Sequence, residues 1–551
     1  MNDVIVILLT DALSAAVALG AVILEDPPEV TLERPKDPSH GDWASNVAMR
    51  AAKAAGMAPR EVAAAIVANI ASHPDVEGVE IAGPGFINIR LSRAPIQRVV
   101  REIREAGAGY GRSSTGGGRK VQVEFVSANP VGPMHVGHGR WAALGDSIAR
   151  LLEHTGHAVE REFYVNDAGV QMDIFARSVA ARYLEECGRE VEFGEDWYRG
   201  AYIADIAREI RAAEGDAWAD ADPGAREAHF MEKAYAQVLA HLRGVLHGIG
   251  VDFDVWFSER SLHAPGPDGS TAVEAAIAVL REAGHVFEHE GAVWFRSTDF
   301  GDDKDRVLRK ADGSYTYFAA DVAYHRDKFA RGFDLVIDLW GADHHGYVKR
   351  MEAAAAALGH PGGLEVVIGQ LVNLFRDGEA VRMSKRTGEM VTFEELLDEV
   401  GADAARYFFL RRSTDQSLDF DIGLATRNSA DNPVYYVQYA HARICSILRK
   451  AGGIPAETEL ALLDGEAELT LLRKLGEFPE VVEAAALART PHRLTRYAEE
   501  LAAVFHQFYT VCRVVTDDAR LTGARLAAVD ATRIVLERAL ALVGVSAPER
   551  M

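Results

Sequence analysis

Hydrophobic and polar positions alternate with different periods along the chain, and the changes of period divide it. Val4 to Leu9 and Ala12 to Leu24 are apolar around Asp11, and Asp26-Pro27-Pro28 follows, which predicts an amphipathic helix stopped by the prolines. Ala44 to Ala55 has helical spacing, whereas Gly85-Phe86-Ile87-Asn88-Ile89-Arg90-Leu91 alternates as a strand. Ser113-Ser114-Thr115-Gly116-Gly117-Gly118 reads as a flexible linker and sets off an N-terminal α+β domain over 1–112. Val121 to Val126 then alternates like a strand, a Pro/Gly-rich turn follows, and Gly137 to Glu153 returns to helical spacing. Strand, glycine turn and helix in that order predict the first unit of a doubly wound, Rossmann-like α/β sheet.

From about 166 to 300 the pattern is helical and polar, broken at Ala264-Pro265-Gly266-Pro267-Asp268-Gly269, which predicts an insertion. Strand patterns return at Leu335 to Trp340 and Leu364 to Ile368, and from about 430 onward the pattern is helical. The expected architecture is therefore an α/β core over 113–425, followed by an all-α bundle over 426–551.

Composition narrows the class. At 551 residues, with 48% hydrophobic and 26% charged, the chain suits a globular protein of several domains. Cys187, Cys445 and Cys512 lie far apart and form neither a disulfide framework nor a zinc ribbon, so a reducing cytoplasm is expected. The apolar N-terminus has no basic residue before Arg34, which argues against a signal peptide and against a membrane role. A net charge of −23 excludes a protein that coats nucleic acid by bulk attraction. It leaves room for a local RNA site, because 426–551 is nearly neutral, with 15 Lys and Arg against 16 Asp and Glu.

Two motifs carry candidate chemistry. Pro133-Met134-His135-Val136-Gly137-His138-Gly139 sits at the predicted strand-to-helix turn, where the dipole and unpaired N–H groups favour phosphate. Gly137, without a side chain, lets an adenine pack against the backbone. Alone, His-x-x-His supports the phosphate-facing reading no better than the bland one, a pair of turn histidines or metal ligands. Val381-Arg382-Met383-Ser384-Lys385-Arg386-Thr387-Gly388 lies in a predicted loop, and its cations around Ser384 suit a pyrophosphate leaving group. A solvated basic loop is the bland alternative.

In this order the two motifs resemble the HIGH and KMSKS signatures of class I aminoacyl-tRNA synthetases. Glu124-Phe125-Val126-Ser127-Ala128-Asn129-Pro130, Tyr164 to Gln171, Tyr317 to His325 and Trp340 to His345 resemble arginyl-tRNA synthetases more narrowly. So do Pro548-Glu549-Arg550-Met551, the N-terminal stretches His40 to Asn46 and Gly83 to Asn88, and, in the tail, Phe505 to Tyr509 with Cys512-Arg513. The likeness is weakest from about 180 to 290. Arg382 and Arg386 depart from the general class box, whose central lysine is kept as Lys385.

The resemblance implies ATP-dependent activation of L-arginine to arginyl-adenylate and transfer to the terminal adenosine of tRNA(Arg). It implies attack by the 2′-OH, and activation that itself needs bound tRNA. By the same token His135, His138 and Lys385 are the catalytic residues, and Gly137, Gly341, Asp343, Met383, Ser384 and Lys385 contact ATP. Glu124, Tyr317 and Asp321 take the guanidinium, Asn129 the α-amino group, and His345 also belongs to the arginine pocket. A guanidinium pocket needs carboxylates and planar acceptors, which this set supplies. No cysteine lies near His344 and His345, so no protein-held metal is expected; Mg²⁺ bridges the phosphates of ATP. The resemblance further implies a helical anticodon-binding tail, a tRNA-contacting N-terminal domain and a monomer. A class I synthetase for another amino acid would lack the Glu124, Tyr317 and Asp321 set. A non-catalytic tRNA-binding paralogue would have lost His135, His138 or Lys385.

Overall fold

Five parallel strands organise the larger part of the molecule: β1 (Lys120–Glu124), β2 (Ala158–Val165), β3 (Val255–Ser258), β4 (Leu335–Gly341) and β5 (Leu364–Gly369). Their order across the sheet is β5-β4-β1-β2-β3. The order reverses between β1 and β4, and in an open α/β sheet ligands bind at the carboxyl ends beside such a reversal. The strands read as apolar runs because helices cover the sheet, and Val121, Val123, Val336 and Ile337 are fully buried. Three acidic residues break this pattern in one row: Asp338 of β4 pairs in register with Glu124 of β1, and Glu124 with Glu162 of β2.

Two helices position the chemistry. Helix α1 (Val136–His154) follows β1, and α2 (Tyr317–Ala330) precedes β4, with Thr316 capping it by accepting from the Ala319 N–H. The computed structural model describes residues 2–35, 37–376, 378–381 and 391–551, and it divides into two units. The larger comprises Gly111–Arg443, Phe478–Ala502 and Leu536–Met551. Its parts are tied by the buried Arg406, which donates to Asp146 of α1 (2.5 Å) and to the carbonyls of Ile249 (2.9 Å) and Val543 (3.0 Å).

The stretch expected to be a helical insertion contains the helices Val170–Glu186, Ala201–Glu214 and Pro223–Gly248. It also contains β3, the edge strand of the central sheet, and two strands of an antiparallel sheet formed by Val286–His289, Ala292–Phe295 and Arg306–Arg309. Each is four residues long and β3 is only half-buried along its length, so no apolar alternation marks it in the sequence.

The smaller unit comprises residues up to Tyr110 with Ile444–Glu477 and Ala503–Val535. Within it, Trp43–Ser45, Phe86–Leu91 and Val76–Ala82 form an antiparallel sheet with Phe86–Leu91 in the middle. The helix Arg93–Ala106 buries Ile96, Val99, Val100 and Ile103, while Gln97 donates to the Leu463 carbonyl at 3.1 Å. Asp42 is held twice, by the Leu91 N–H (2.8 Å) and by Arg473 (2.9 Å). Among the described residues, no helix is long and apolar enough to cross a membrane.

Candidate active site

A cavity of about 1070 Å³ opens at the carboxyl ends of β1 and β4, where the strand order reverses. One part is lined by His135, Gly137, His138 and Trp141 at the start of α1, and another by Glu124, Asp321, His325 and Asp338. Tyr317, Gly341 and Asp343 also border it.

The histidines are locked by local geometry. His135 occupies the N-cap of α1 with extended backbone, and its N–H donates to His138 Nδ1 at 3.2 Å. An accepting Nδ1 leaves the ring proton of His138 on Nε2, which makes that nitrogen a donor. The two rings stack with centroids 3.7 Å apart. Glycine at 137 has a close-packing reason here: a Cβ would come within 2.9 Å of the His135 ring. Gly369 at the end of β5 is equally constrained, because a Cβ there would lie 1.8 Å from the Trp141 indole. Downstream, the Phe393 N–H donates to the Met134 carbonyl at 2.8 Å, and Thr392 bridges to His135. The segment that follows the second motif is thus fastened beside the first. Met383, Ser384 and Lys385 themselves lie outside the described residues.

The acidic part is built from the row of strand carboxylates beneath α2. Glu124 Oε2 accepts from the fully buried Lys328 at 2.6 Å, and Oε1 from Ser127 at 2.8 Å. Lys328 also donates to Asp338 at 2.7 Å, and His325 sits 2.9 Å from the other oxygen of Asp338. Glu162 is satisfied separately by Arg331 (2.5 Å) and the Tyr324 hydroxyl (2.5 Å). Asp321 accepts from the Tyr347 hydroxyl at 2.5 Å. Burial pushes Glu124 above the usual carboxylate range, Lys328 opposing and Asp338 reinforcing. Burial likewise raises Asp321, with the Tyr347 bond working against it. For Asp338 burial is overcome by Lys328 and His325, which hold it at about 2. A turn in the left-handed region supports this corner. Val126 (φ 70) and Ser127 (φ 42) follow one residue after the strand ends, a costly conformation for a β-branched residue that brings the Ser127 hydroxyl to Glu124.

Models of three families match the chain: "Arginyl tRNA synthetase N terminal domain" over 4–91, "tRNA synthetases class I (R), catalytic domain" over 102–422, and "DALR anticodon binding domain" over 437–551. The arginine–tRNA ligase of Moorella thermoacetica is 51% identical, with 98% of each chain covered, and that of Carboxydothermus hydrogenoformans is 50% identical over 98% of this chain and 97% of its own. The chain belongs to the arginyl-tRNA synthetase family. It is an arginine–tRNA ligase with a class I catalytic domain. A solved structure described as a putative arginyl-tRNA synthetase from Campylobacter jejuni superposes with a TM-score of 0.76 at 33% identity, covering 84% of this chain and all of that one. The arginyl-tRNA synthetase of Thermus thermophilus gives 0.77 at 23% identity, covering 98% and 99%, a likeness of fold.

Of the residues expected in the site of this synthetase, Glu124, Asn129, His135, Gly137, His138, Tyr317, Asp321, Gly341 and Asp343 all line the cavity. His345 does not; it is exposed on the turn Ala342–Tyr347, and His344 faces the cavity instead. Asn129 donates to Gln171 at 2.9 Å. Sequence reasoning missed Ser127, His325, Lys328, Asp338 and Tyr347. A signal existed for two of them. Asp338 is a lone charge in the apolar strand Leu335-Val336-Ile337-Asp338-Leu339, and Lys328 follows Asp321 by seven residues, two helical turns along one face.

Proposed function

We propose that the α1 part of this cavity receives ATP and the acidic part receives arginine. His135 and His138 face the phosphates, with His138 Nε2 donating to oxygens that gain charge as the α-phosphate is attacked. Gly137, Gly341 and Asp343 border the adenosine, and Asp343 suits a ribose hydroxyl. Glu124, Asp321 and Tyr317 take the guanidinium and Asn129 the α-amino group. The arginine carboxylate attacks in line, arginyl-adenylate forms and pyrophosphate leaves; Lys385 of the second motif, with Met383 and Ser384, follows the charge onto that leaving group. A ribose 2′-OH of the tRNA's terminal adenosine then attacks the adenylate carbonyl and releases AMP.

Among the described residues no group of three or more His, Cys, Asp or Glu is arranged to hold a metal ion. The donor chemistry suits Mg²⁺ bound chiefly by ATP phosphates, where it neutralises charge. We further propose that 1–112 contacts tRNA, that 426–551 binds the anticodon, and that the synthetase works as a cytoplasmic monomer.

The observation that supports this reading best is one cavity with a donor-bearing helix start and an excess of buried carboxylates over lysine. The test is tRNA charging with each of the twenty amino acids in turn. Arginine alone should be charged; charging of another amino acid would overturn the arginine site, and no charging at all would mark a non-catalytic paralogue.

A further inference from the structure

One buried ammonium serves two carboxylates. Lys328, 0% exposed, reaches Glu124 at 2.6 Å and Asp338 at 2.7 Å, so its single charge cannot neutralise both. The two carboxylates stand opposite each other across adjacent parallel strands, on the row that continues to Glu162. Lys328 lies on α2 in helical spacing from Tyr317 and Asp321, but on the sheet side of the cavity: it does not line the cavity, and Glu124 and Asp338 do. A carboxylate oxygen has two lone pairs, so Glu124 can keep Lys328 and Ser127 and still accept from a planar guanidinium.

We propose that Lys328 is a positioning residue for arginine recognition, holding Glu124 ionised and oriented without touching the substrate. The proposal rests on the assignment of the acidic part of the cavity to arginine. Without Lys328, Glu124 would face Asp338 across one strand spacing and Glu162 across the other, in a buried site where like charges drive a proton onto one of them. A protonated Glu124 can no longer pair with a guanidinium as a charge.

Other groups could titrate in its place, and they are separable. From β2, Glu162 is held by Arg331 and Tyr324, and the Tyr164 phenol is raised far above the working range. From β4, Asp338 stays low through Lys328 and His325. From α2, Asp321 is bonded by Tyr347, and the Tyr324 phenol is raised well above its usual value. Glu259, just after β3 and pushed up to about 7, acts on Asp321 in wild type and Lys328 variants alike, so only the difference between their profiles reports on Lys328. Loss of Lys328 therefore falls first on Glu124 and Asp338.

The experiment is arginylation of tRNA(Arg) by the full chain from about pH 6 to about pH 9, with arginine and ATP varied separately. Lys328→Met should raise the arginine KM roughly 30-fold or more near neutral pH, the range seen when a buried charge partner is removed. The pH below which arginine KM climbs should move upward relative to wild type, ATP KM should change less than about threefold, and Lys328→Arg should restore most of the loss. If Lys328→Met does not fold, Lys328→Gln removes the charge while keeping a polar side chain of similar length, and leaves Glu124 facing Asp338 without a cation between them. A wild-type arginine KM and pH profile in whichever of these folds would overturn the proposal. Glu124→Gln separates the two levels of inference. An unchanged arginine KM there would sink the arginine-site assignment itself, whereas a raised KM with a wild-type pH profile in the Lys328 variants would sink only the role of Lys328.

Discussion

Replacing Asp321 by asparagine keeps the size of the side chain and exchanges one carboxylate oxygen for an amide. Asp321 Oδ2 accepts the Tyr347 hydroxyl at 2.5 Å. Asparagine retains that bond through its carbonyl oxygen, so its NH₂ must then take the place of the remaining oxygen. A guanidinium meeting an amide NH₂ brings donor against donor, and it loses a charge-assisted bond of about 1.5–3 kcal/mol. Adding the uncompensated donor, about 1–3 kcal/mol, gives roughly 2.5 kcal/mol or more, equivalent to a rise of about 70-fold or more in arginine KM. ATP KM should move less than about threefold, because no hydrogen bond of Asp321 reaches the histidine part of the cavity. The assay is steady-state charging with arginine varied at saturating ATP and tRNA, repeated with lysine and citrulline. Lysine offers a point charge where the site presents paired planar acceptors, and a polar pocket of this kind should reject it by roughly 10⁴-fold. An arginine KM in Asp321→Asn within threefold of wild type, or comparable charging of lysine by the wild type, would refute the reasoning.

Three further outcomes follow from other parts of the molecule. His138→Ala should lower single-turnover adenylate formation by about 10²-fold or more in a folded protein, and a loss under about threefold would remove His138 from the chemistry. Lys385→Ala should depress kcat far more than it raises arginine KM, since its partner charge develops only during reaction; a defect confined to arginine KM would place it in the amino-acid site. Burial, opposed by Tyr164 and aided by Asp321 and Asp167, pushes the Glu259 carboxyl up to about 7. Its folded value exceeds the unfolded one, so the native state binds the extra proton and stability is lost as pH rises from the ordinary carboxylate range through about 7. The Tm of wild type should therefore fall more than that of Glu259→Gln over this interval, and parallel melting curves would show that Glu259 does not titrate there.

Periodic signals were legible where burial is one-sided and elements are long. The strand at Val121 to Val126, the helix at Gly137 to Glu153 and the strands at Leu335 and Leu364 all appear within a few residues of their predicted bounds, since each repeats its pattern over a turn or more. The four-residue strand β3 was not legible, because its position in the sheet comes from pairing with β2 and not from its own residues. The site divides the same way. Residues that face the cavity in recognisable local motifs, such as His135, His138 and Asp321, could be read from the sequence. Lys328 and Asp338 could not be joined to Glu124, as they lie 204 and 214 positions away and meet only when β4 is inserted beside β1. Ser127 escaped because its role depends on a left-handed turn that no glycine announces. Which of His344 and His345 faces the cavity was not legible, because a short 3₁₀ turn advances side chains by a different angle than an α-helix; His344 lines the cavity.

Arg406 draws its acceptors from three distant stretches, Asp146, Ile249 and Val543, and two further bonds close the same region, from Ser546 to Asp403 and from His441 to the Pro548 carbonyl. Chains are made from the N-terminus, and domains fold as they emerge. On a translating ribosome the catalytic unit can assemble its sheet early, but Arg406 must wait with one acceptor missing until residue 543 has been added. A polypeptide interrupted by a stop codon between 443 and 543 thus keeps every residue proposed for the chemistry and still leaves a buried guanidinium short of a partner. Quality control would meet that defect as an unfinished core, so nonsense and frameshift lesions late in the reading frame should yield degraded protein and not a pool of truncated, partly active enzyme.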